Sequence, residues 1–285
     1  MPLPKGYTVE SGVRQVCGSR LAYDLYLPKG HDGGLGGVVL LHGFGADRRS
    51  LAGHAARLAA AGTAAVLTPD MSSLIAGGME AAQERKIAQA ADAAAWLAAR
   101  PELAKGPGVL LCGHSAGGAV VFEAAQALAA AGTPPRGVCM LESVPWPRTL
   151  LAAPTWPAAA VPLMQARCPD SAWNNRGAMR AVLAAVPAPG AVVVELPRAR
   201  HGDAMDPASF ALRLLGLLGA PGSGALFGAL LDAFVRSALG AEHAAGFEAG
   251  PLAALAAAHP AELRVERRRG DAAPPSAVVP TAVLA

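Results

Sequence analysis

Short, unbroken apolar runs recur along the chain at 38–41, 64–67, 109–112, 138–141, 161–164 and 191–196, at intervals that leave room for one helix each. Hydrophobicity that continues rather than alternates marks a parallel strand covered on both faces. Helical stretches at 49–61, 80–100, 116–131 and 174–186 fall between these runs. The alternation predicts an α/β fold, with a mostly parallel, doubly wound sheet of about eight strands and helices on both faces. Residues 21–27 (LAYDLYL) instead alternate apolar with polar positions before Pro28 and a Gly-rich turn, which suits a leading antiparallel pair at the sheet edge. Pro101, Gly106 and Pro107 end the second helix; Gly132, Pro134 and Pro135 end the third.

Beyond the run at 138–141 the chain is proline-rich from 144 to 160 and has little helical periodicity. A large helical lid does not fit there, and a short, stiff loop over an open pocket is expected. The character changes after residue 219, with a Gly/Pro break, an apolar helical segment at 225–239 and an Ala-rich stretch to His259. This predicts a core over 1–219, a helical extension packed on it over 220–260, and a tail over 261–285 that frays.

Composition narrows the function classes. Hydrophobic residues make up 53% of the 285, yet no run of eighteen lacks Gly, Pro or charge, so a spanning helix is not expected and the chain reads as soluble. The first residues show no charged segment followed by an apolar one, which makes the cytoplasm the expected compartment. A net charge of +3, scattered apart from Arg267, Arg268 and Arg269, gives no reason to expect nucleic acid. Cys17, Cys112, Cys139 and Cys168 lie far apart with no C-x-x-C pair, so they read as buried structural thiols, with no metal site and no disulfide framework.

The candidate chemistry lies in VLLCGHSAGG, residues 109–118: a buried strand running through Gly113-His114-Ser115-Ala116-Gly117 directly into an apolar helix. A nucleophilic serine needs a turn tight enough to lift its hydroxyl clear of the strand's end, with small neighbours that let strand and helix approach closely. The pattern alone is weak, and its placement is the strong part. A helix starting at Ala116 also turns its positive end and free amides toward the same place.

A second loop, Leu41-His42-Gly43-Phe44-Gly45, follows a strand and can aim a backbone amide, that of Phe44, at the same oxygen as the amide of Ala116. His42 itself is expected to support that loop through a hydrogen bond. Of the seven histidines, His201 directly follows a strong strand, in VVVELPRARHGDAMDP, and is the expected general base. His31 sits in a Gly-rich loop, His54 inside a helix, His114 at the elbow's variable position, and His243 and His259 in the Ala-rich tail. Two carboxylates at strand ends compete as its acid partner: Glu142 in CMLESVPW, favoured by its place at the strand tip, and Asp170 in PLMQARCPDSAWN. Asp203 and Asp206 are too close to His201 in the chain and are expected to shape its loop, Asp206 by capping a helix that begins near Pro207. Asp47 reads as a helix-start residue. Trp146 and Trp156, with Phe44, are candidates to line an apolar substrate pocket, and packing is an equal alternative for the tryptophans.

Taken together, the elbow, the HGFG loop and the RARHGDAMD loop resemble an α/β-hydrolase of the chlorophyllase and dienelactone-hydrolase-like group over about residues 20 to 215. In chlorophyllase-like relatives the acid follows the sixth strand in a segment like LDPV. Here that segment is Leu141-Glu142-Ser143-Val144, so the resemblance places the acid at Glu142, with Glu where Asp is more usual, and Asp170 stays an alternative. It implies a lidless serine esterase that needs no cofactor and acts on a small-molecule ester with an apolar portion. Lactone, thioester or amide cleavage would use the same residues. A non-catalytic receptor on the same fold is the rival from another class.

Overall fold

The computed structural model describes residues 6–71, 78–157, 161–187, 191–208, 216–240 and 250–267. Among these, nine strands form one sheet in the order β1-β2-β4-β3-β5-β6-β7-β8-β9. The strands are β1 (Tyr7–Val16), β2 (Ser19–Pro28), β3 (Gly36–Leu41), β4 (Ala64–Pro69), β5 (Val109–His114), β6 (Val138–Leu141), β7 (Leu163–Arg167), β8 (Ala191–Glu195) and β9 (Arg264–Arg267). From β4 to β8 across the sheet all neighbours run parallel, while β1, β2 and β9 pair antiparallel. The helices are α1 (Ala52–Ala60), α2 (Gly78–Ala98), α3 (Ala116–Ala130), α4 (Pro147–Ala152), α5 (Met179–Ala185), α6 (Ser223–Leu239) and α7 (Pro251–Ala258).

The continuous apolar runs are explained by a core on each face. Val38, Leu40, Leu110 and Cys112 face a cluster shared with Leu58 of α1 and Phe227, Leu230 and Phe234 of α6. Val39, Leu41, Leu111 and Met140 face the other, with Leu97 of α2 and Val121 and Phe122 of α3. Each fully buried Leu or Phe contributes roughly 1.5–3 kcal/mol, and α6 therefore packs as part of the core.

Five expectations change. The sheet has nine strands rather than about eight, because residues 264–267, expected to fray, pair with β8; the rest of that tail lies outside the described residues. The run at 161–164 shifts to Leu163–Arg167, since Pro162 brings no N–H to the ladder and the polar end of the strand is satisfied by the Arg167–Glu195 ion pair with β8. The helix expected at 174–186 is only Met179–Ala185, because Asn175, Arg176 and Gly177 all have positive φ and break it. The proline-rich segment is not all loop: Pro147 starts α4, in the first-turn position where its missing N–H costs nothing. Cys112, Cys139 and Cys168 are buried as expected, but Cys17 is exposed in the β1–β2 turn.

Candidate active site

The elbow stands at the carboxyl end of β5, in the middle of the sheet. Ser115 has φ 54° and ψ −124°, a conformation L residues rarely adopt, at a cost of order 1–3 kcal/mol. Glycine makes the bend possible: a Cβ on Gly113 would fall 2.3 Å from the Gly117 carbonyl oxygen, and one on Gly43 would fall 2.8 Å from the Ser115 Cβ. Strand, elbow and HGFG loop thus meet at backbone distance. The Ser115 amide donates to Leu141 O (3.1 Å), which fixes the elbow to β6.

His201 reaches this point from a 3-10 turn, His201–Ala204, after β8. Its Nε2 lies 3.0 Å from Ser115 Oγ. On the far side of the ring, Nδ1 lies 3.5 Å from Glu142 Oε1. That separation suits an ion pair but exceeds a hydrogen bond, and contacts of this kind tighten in a reacting complex. Glu142 is 1% exposed and has φ 50°, a second strained residue, at the tip of β6. Its Oε2 accepts from the Cys168 amide, and its Oε1 accepts from Asn174 Nδ2 at 2.7 Å.

Asp170 is placed elsewhere: its carboxylate is taken up by Arg180 and, at 3.8 Å, Arg167 in partly solvated surroundings. The geometry therefore brings Ser115, His201 and Glu142 together and leaves Asp170 out.

The HGFG loop is pinned by His42, whose Nδ1–H donates to Gly43 O (2.8 Å) while Nε2 accepts from the Met71 amide (3.0 Å). Burial pushes the His42 pKa down, so the ring stays neutral and keeps both bonds. As the first residue of α3, Ala116 has an amide with no partner within its own helix. Phe44 is 70% exposed. Lys86 of α2 lies 6.0 Å from the Phe44 ring and 5.8 Å from that of Trp146, a cation between two aromatic faces, with its pKa lowered by burial and by Arg85. Trp146 is half-buried and immediately precedes α4. That segment is held down by Glu123 of α3, which accepts from Thr149 Oγ1 (2.7 Å) and from Gln83. Trp156 does not line the site: it is buried in the core, stacked on Phe122 at 4.5 Å, with Nε1 donating to Val161 O. Its large apolar surface is satisfied by packing.

Asp203 shapes the loop as expected, its Oδ2 accepting from the Arg200 and Gly219 amides, both at 2.8 Å. Asp206 ties the loop to α1: its carboxylate pairs with Arg57, and its carbonyl accepts from the Gly53 amide at 2.8 Å. The helix it was expected to cap falls partly on 209–215, outside the described residues. Asp47 caps a 3-10 turn, accepting from the Arg49 amide at 2.9 Å.

Sequence reading missed three residues here. Asn174, taken as the start of a helix, is a buried knot whose Oδ1 accepts from the Ser171 and Gly177 amides while Nδ2 orients Glu142. His54 Nε2–H donates to Ala204 O (3.0 Å), with Nδ1 accepting from Arg57. His114 Nε2–H donates to the His201 carbonyl (3.2 Å). The side chains of His54 and His114 are buried, at 1% and 3% exposure. Their pKa values are pushed down to about 4 and about 3, by burial first and then by Arg57 and His201 respectively.

A stability consequence follows. A histidine whose folded pKa is depressed binds its proton more readily unfolded, so its contribution is present above the unfolded value of about 6.5 and is lost as pH falls below it. Each such histidine costs about 1.4 kcal/mol per pH unit in that window. Urea unfolding at pH 7 and pH 5 should show a clear loss at pH 5, with about two protons taken up on unfolding from His54 and His114. A stability independent of pH over that interval would contradict their neutral burial.

No protein-family model matches the chain, and no curated protein matches it. Solved structures do. A dienelactone-hydrolase-like promiscuous phosphotriesterase from metagenomic libraries is similar at 20% identity and TM-score 0.64, over 82% of this chain and 100% of that one. A dienelactone hydrolase from Anabaena variabilis gives 21% and 0.57 over 80% and 96%. A thermophilic carboxylesterase cloned from a metagenomic library gives 17% and 0.60 over 84% and 92%. The chain has the α/β-hydrolase fold. Among the described residues no helix is long and apolar enough to cross a membrane, and no group of three or more His, Cys, Asp or Glu is placed to hold a metal ion.

Proposed function

We propose that this chain is a serine hydrolase that cleaves carboxylic esters through an acyl-enzyme, with Ser115 as nucleophile, His201 as general base and Glu142 as the acid that orients it. The observation that carries the reading is the 3.0 Å contact between Ser115 Oγ and His201 Nε2, made from an elbow whose backbone is held at positive φ. Support also comes from the names of the similar structures, which include a carboxylesterase and a dienelactone hydrolase.

In the first half-reaction Ser115 Oγ bonds to the ester carbonyl carbon as His201 Nε2 takes the hydroxyl proton. The charge that develops on the carbonyl oxygen meets the amides of Phe44 and Ala116. Losing one such donor costs about 2.7–4 kcal/mol of transition-state stabilisation. Glu142 stabilises the imidazolium and keeps its Nδ1 protonated. The imidazolium then gives its proton to the departing alkoxide, and the C–O bond to the alcohol breaks. Water, deprotonated by the same imidazole, attacks the acyl carbon, and the serine leaves with its proton restored. Phe44 and Trp146, the two rings beside Lys86, suit a small ester with an apolar portion.

Hydrolysis of p-nitrophenyl acetate and butyrate tests the reading. The wild type should turn over both, and Ser115→Ala should not. Equal slow release by the two proteins would favour a non-catalytic receptor on the same fold.

A further inference from the structure

From these contacts we infer that His114, the residue between Gly113 and Ser115, is a positioning residue that sets the His201 imidazole over Ser115 by holding the His201 carbonyl, with His54 of α1 holding the other end of the same turn. The inference rests on the hydrolase reading above and adds to it the device that keeps base and nucleophile in register.

The turn that carries the base is only four residues long, His201–Ala204. So short a turn closes few hydrogen bonds of its own and needs anchors from outside. Both of its ends have one: His114 Nε2–H donates to His201 O, and His54 Nε2–H donates to Ala204 O. The first anchor has a special position, because it comes from the residue bonded directly to the nucleophile. Ser115, the His114 ring, the His201 backbone and the His201 ring therefore form a closed circuit, completed by the 3.0 Å contact at Ser115 Oγ. A movement of the elbow carries the anchor of the base along with the hydroxyl.

The His114 ring acts as a wall as well as a tether. Its centroid lies 5.0 Å from that of His201, with the planes tilted by 42°. Burial keeps it neutral, with its proton on Nε2 where the carbonyl needs it, throughout the range in which imidazoles ordinarily titrate. Nδ1 has no partner among the described residues. An orphaned buried acceptor is destabilising, and an aliphatic side chain would avoid that cost but offer no donor.

Three variants separate the parts. His114→Phe keeps a ring and loses the donor, His114→Leu loses both, and His114→Gln keeps a donor at similar reach. With p-nitrophenyl butyrate, Phe and Leu should lower kcat by about 10- to 100-fold, the loss expected for a displacement near 1 Å, while KM stays within about twofold. Gln should recover to within about threefold of wild type. Hydrogen exchange of the amides over 198–206, read on the same proteins without substrate, should be about tenfold faster in Phe than in wild type and restored in Gln. Should neither Phe nor Leu give folded protein, His114→Asn, whose amide stops one bond short, takes their place against Gln. The inference is overturned if Phe keeps kcat and exchange within twofold of wild type, or if Gln falls as far as Phe. A wild type with no esterase activity would instead sink the hydrolase reading, and exchange alone would then decide the tether.

Discussion

Replacing Ser115 with Ala should leave a folded protein whose kcat for p-nitrophenyl esters is lower by about a millionfold, the scale seen when a triad nucleophile is removed on its own. The fold should survive because the elbow is held by its backbone: the Ser115 amide on Leu141 O, and the Ser115 carbonyl accepting from the Gly118 and Val144 amides. Among the described residues the hydroxyl contributes one hydrogen bond, to His201 Nε2. Alanine meets the same left-handed strain as serine at φ 54°, so the thermal midpoint should shift little while turnover collapses. Steady-state assays, with a melting curve on the same sample, check both halves. A folded variant within tenfold of wild type would show that another group performs the reaction.

The second large effect separates two carboxylates. Glu142→Gln should lower kcat by about 10⁴-fold, as the isosteric amide does in the well-studied triad, whereas Asp170→Asn should stay within about twofold. Glu142 accepts from the Cys168 amide, from Asn174 Nδ2 and, as the ring closes in, from His201 Nδ1–H. An amide offers only one acceptor atom to these donors. If its oxygen faces the Cys168 amide, its NH₂ confronts Asn174 and His201, which forces the imidazole into the wrong tautomer. Asp170 is engaged chiefly with Arg180, an exposed pair, and at 3.8 Å with Arg167, which keeps its partner Glu195, so its change should reach little further. The kcat ratio of the two variants on one ester is the measurement, and a larger loss at Asp170 would transfer the role to it.

Much of the fold was legible along the chain because short apolar runs, bounded by turn residues and separated by helical stretches, suit strands buried on both faces. Cys112 and Leu111, adjacent in sequence, point into opposite cores. The elbow could be read because a serine flanked by glycines at a strand-helix junction makes a tight turn, and the approach of His201 to it because that histidine's loop directly follows a strong strand. Glu142 was favoured over Asp170 for a local reason, its place at a strand tip; the fold adds that Asp170 pairs with Arg180 while Glu142 lies 3.5 Å from His201 Nδ1. Contacts that depend on distant parts of the chain could not be read in the same way. Asn174 looked like a helix start, and only the folded loop shows its amide turned onto a carboxylate 32 residues away. His114 was simply the variable position of a motif, since nothing local says that a backbone carbonyl 87 residues on will need a donor. Trp156 could not be decided from the chain, because an aromatic near a presumed pocket has the same sequence signature as one stacked in the core; of the two equal readings, packing is the one the fold takes up. The edge strand at 264–267 was hidden because its charged residues read as a solvated tail.

Every step of the proposed chemistry depends on the Ser115 hydroxyl being unusually nucleophilic, and covalent capture measures that property without presupposing a substrate. Labelling the intact protein with a fluorophosphonate, then digesting and mapping the modified peptide, should place one adduct on Ser115, and the His201→Ala variant should label far more slowly. An adduct on another residue, or no adduct under conditions that label an ordinary serine esterase, would contradict the account.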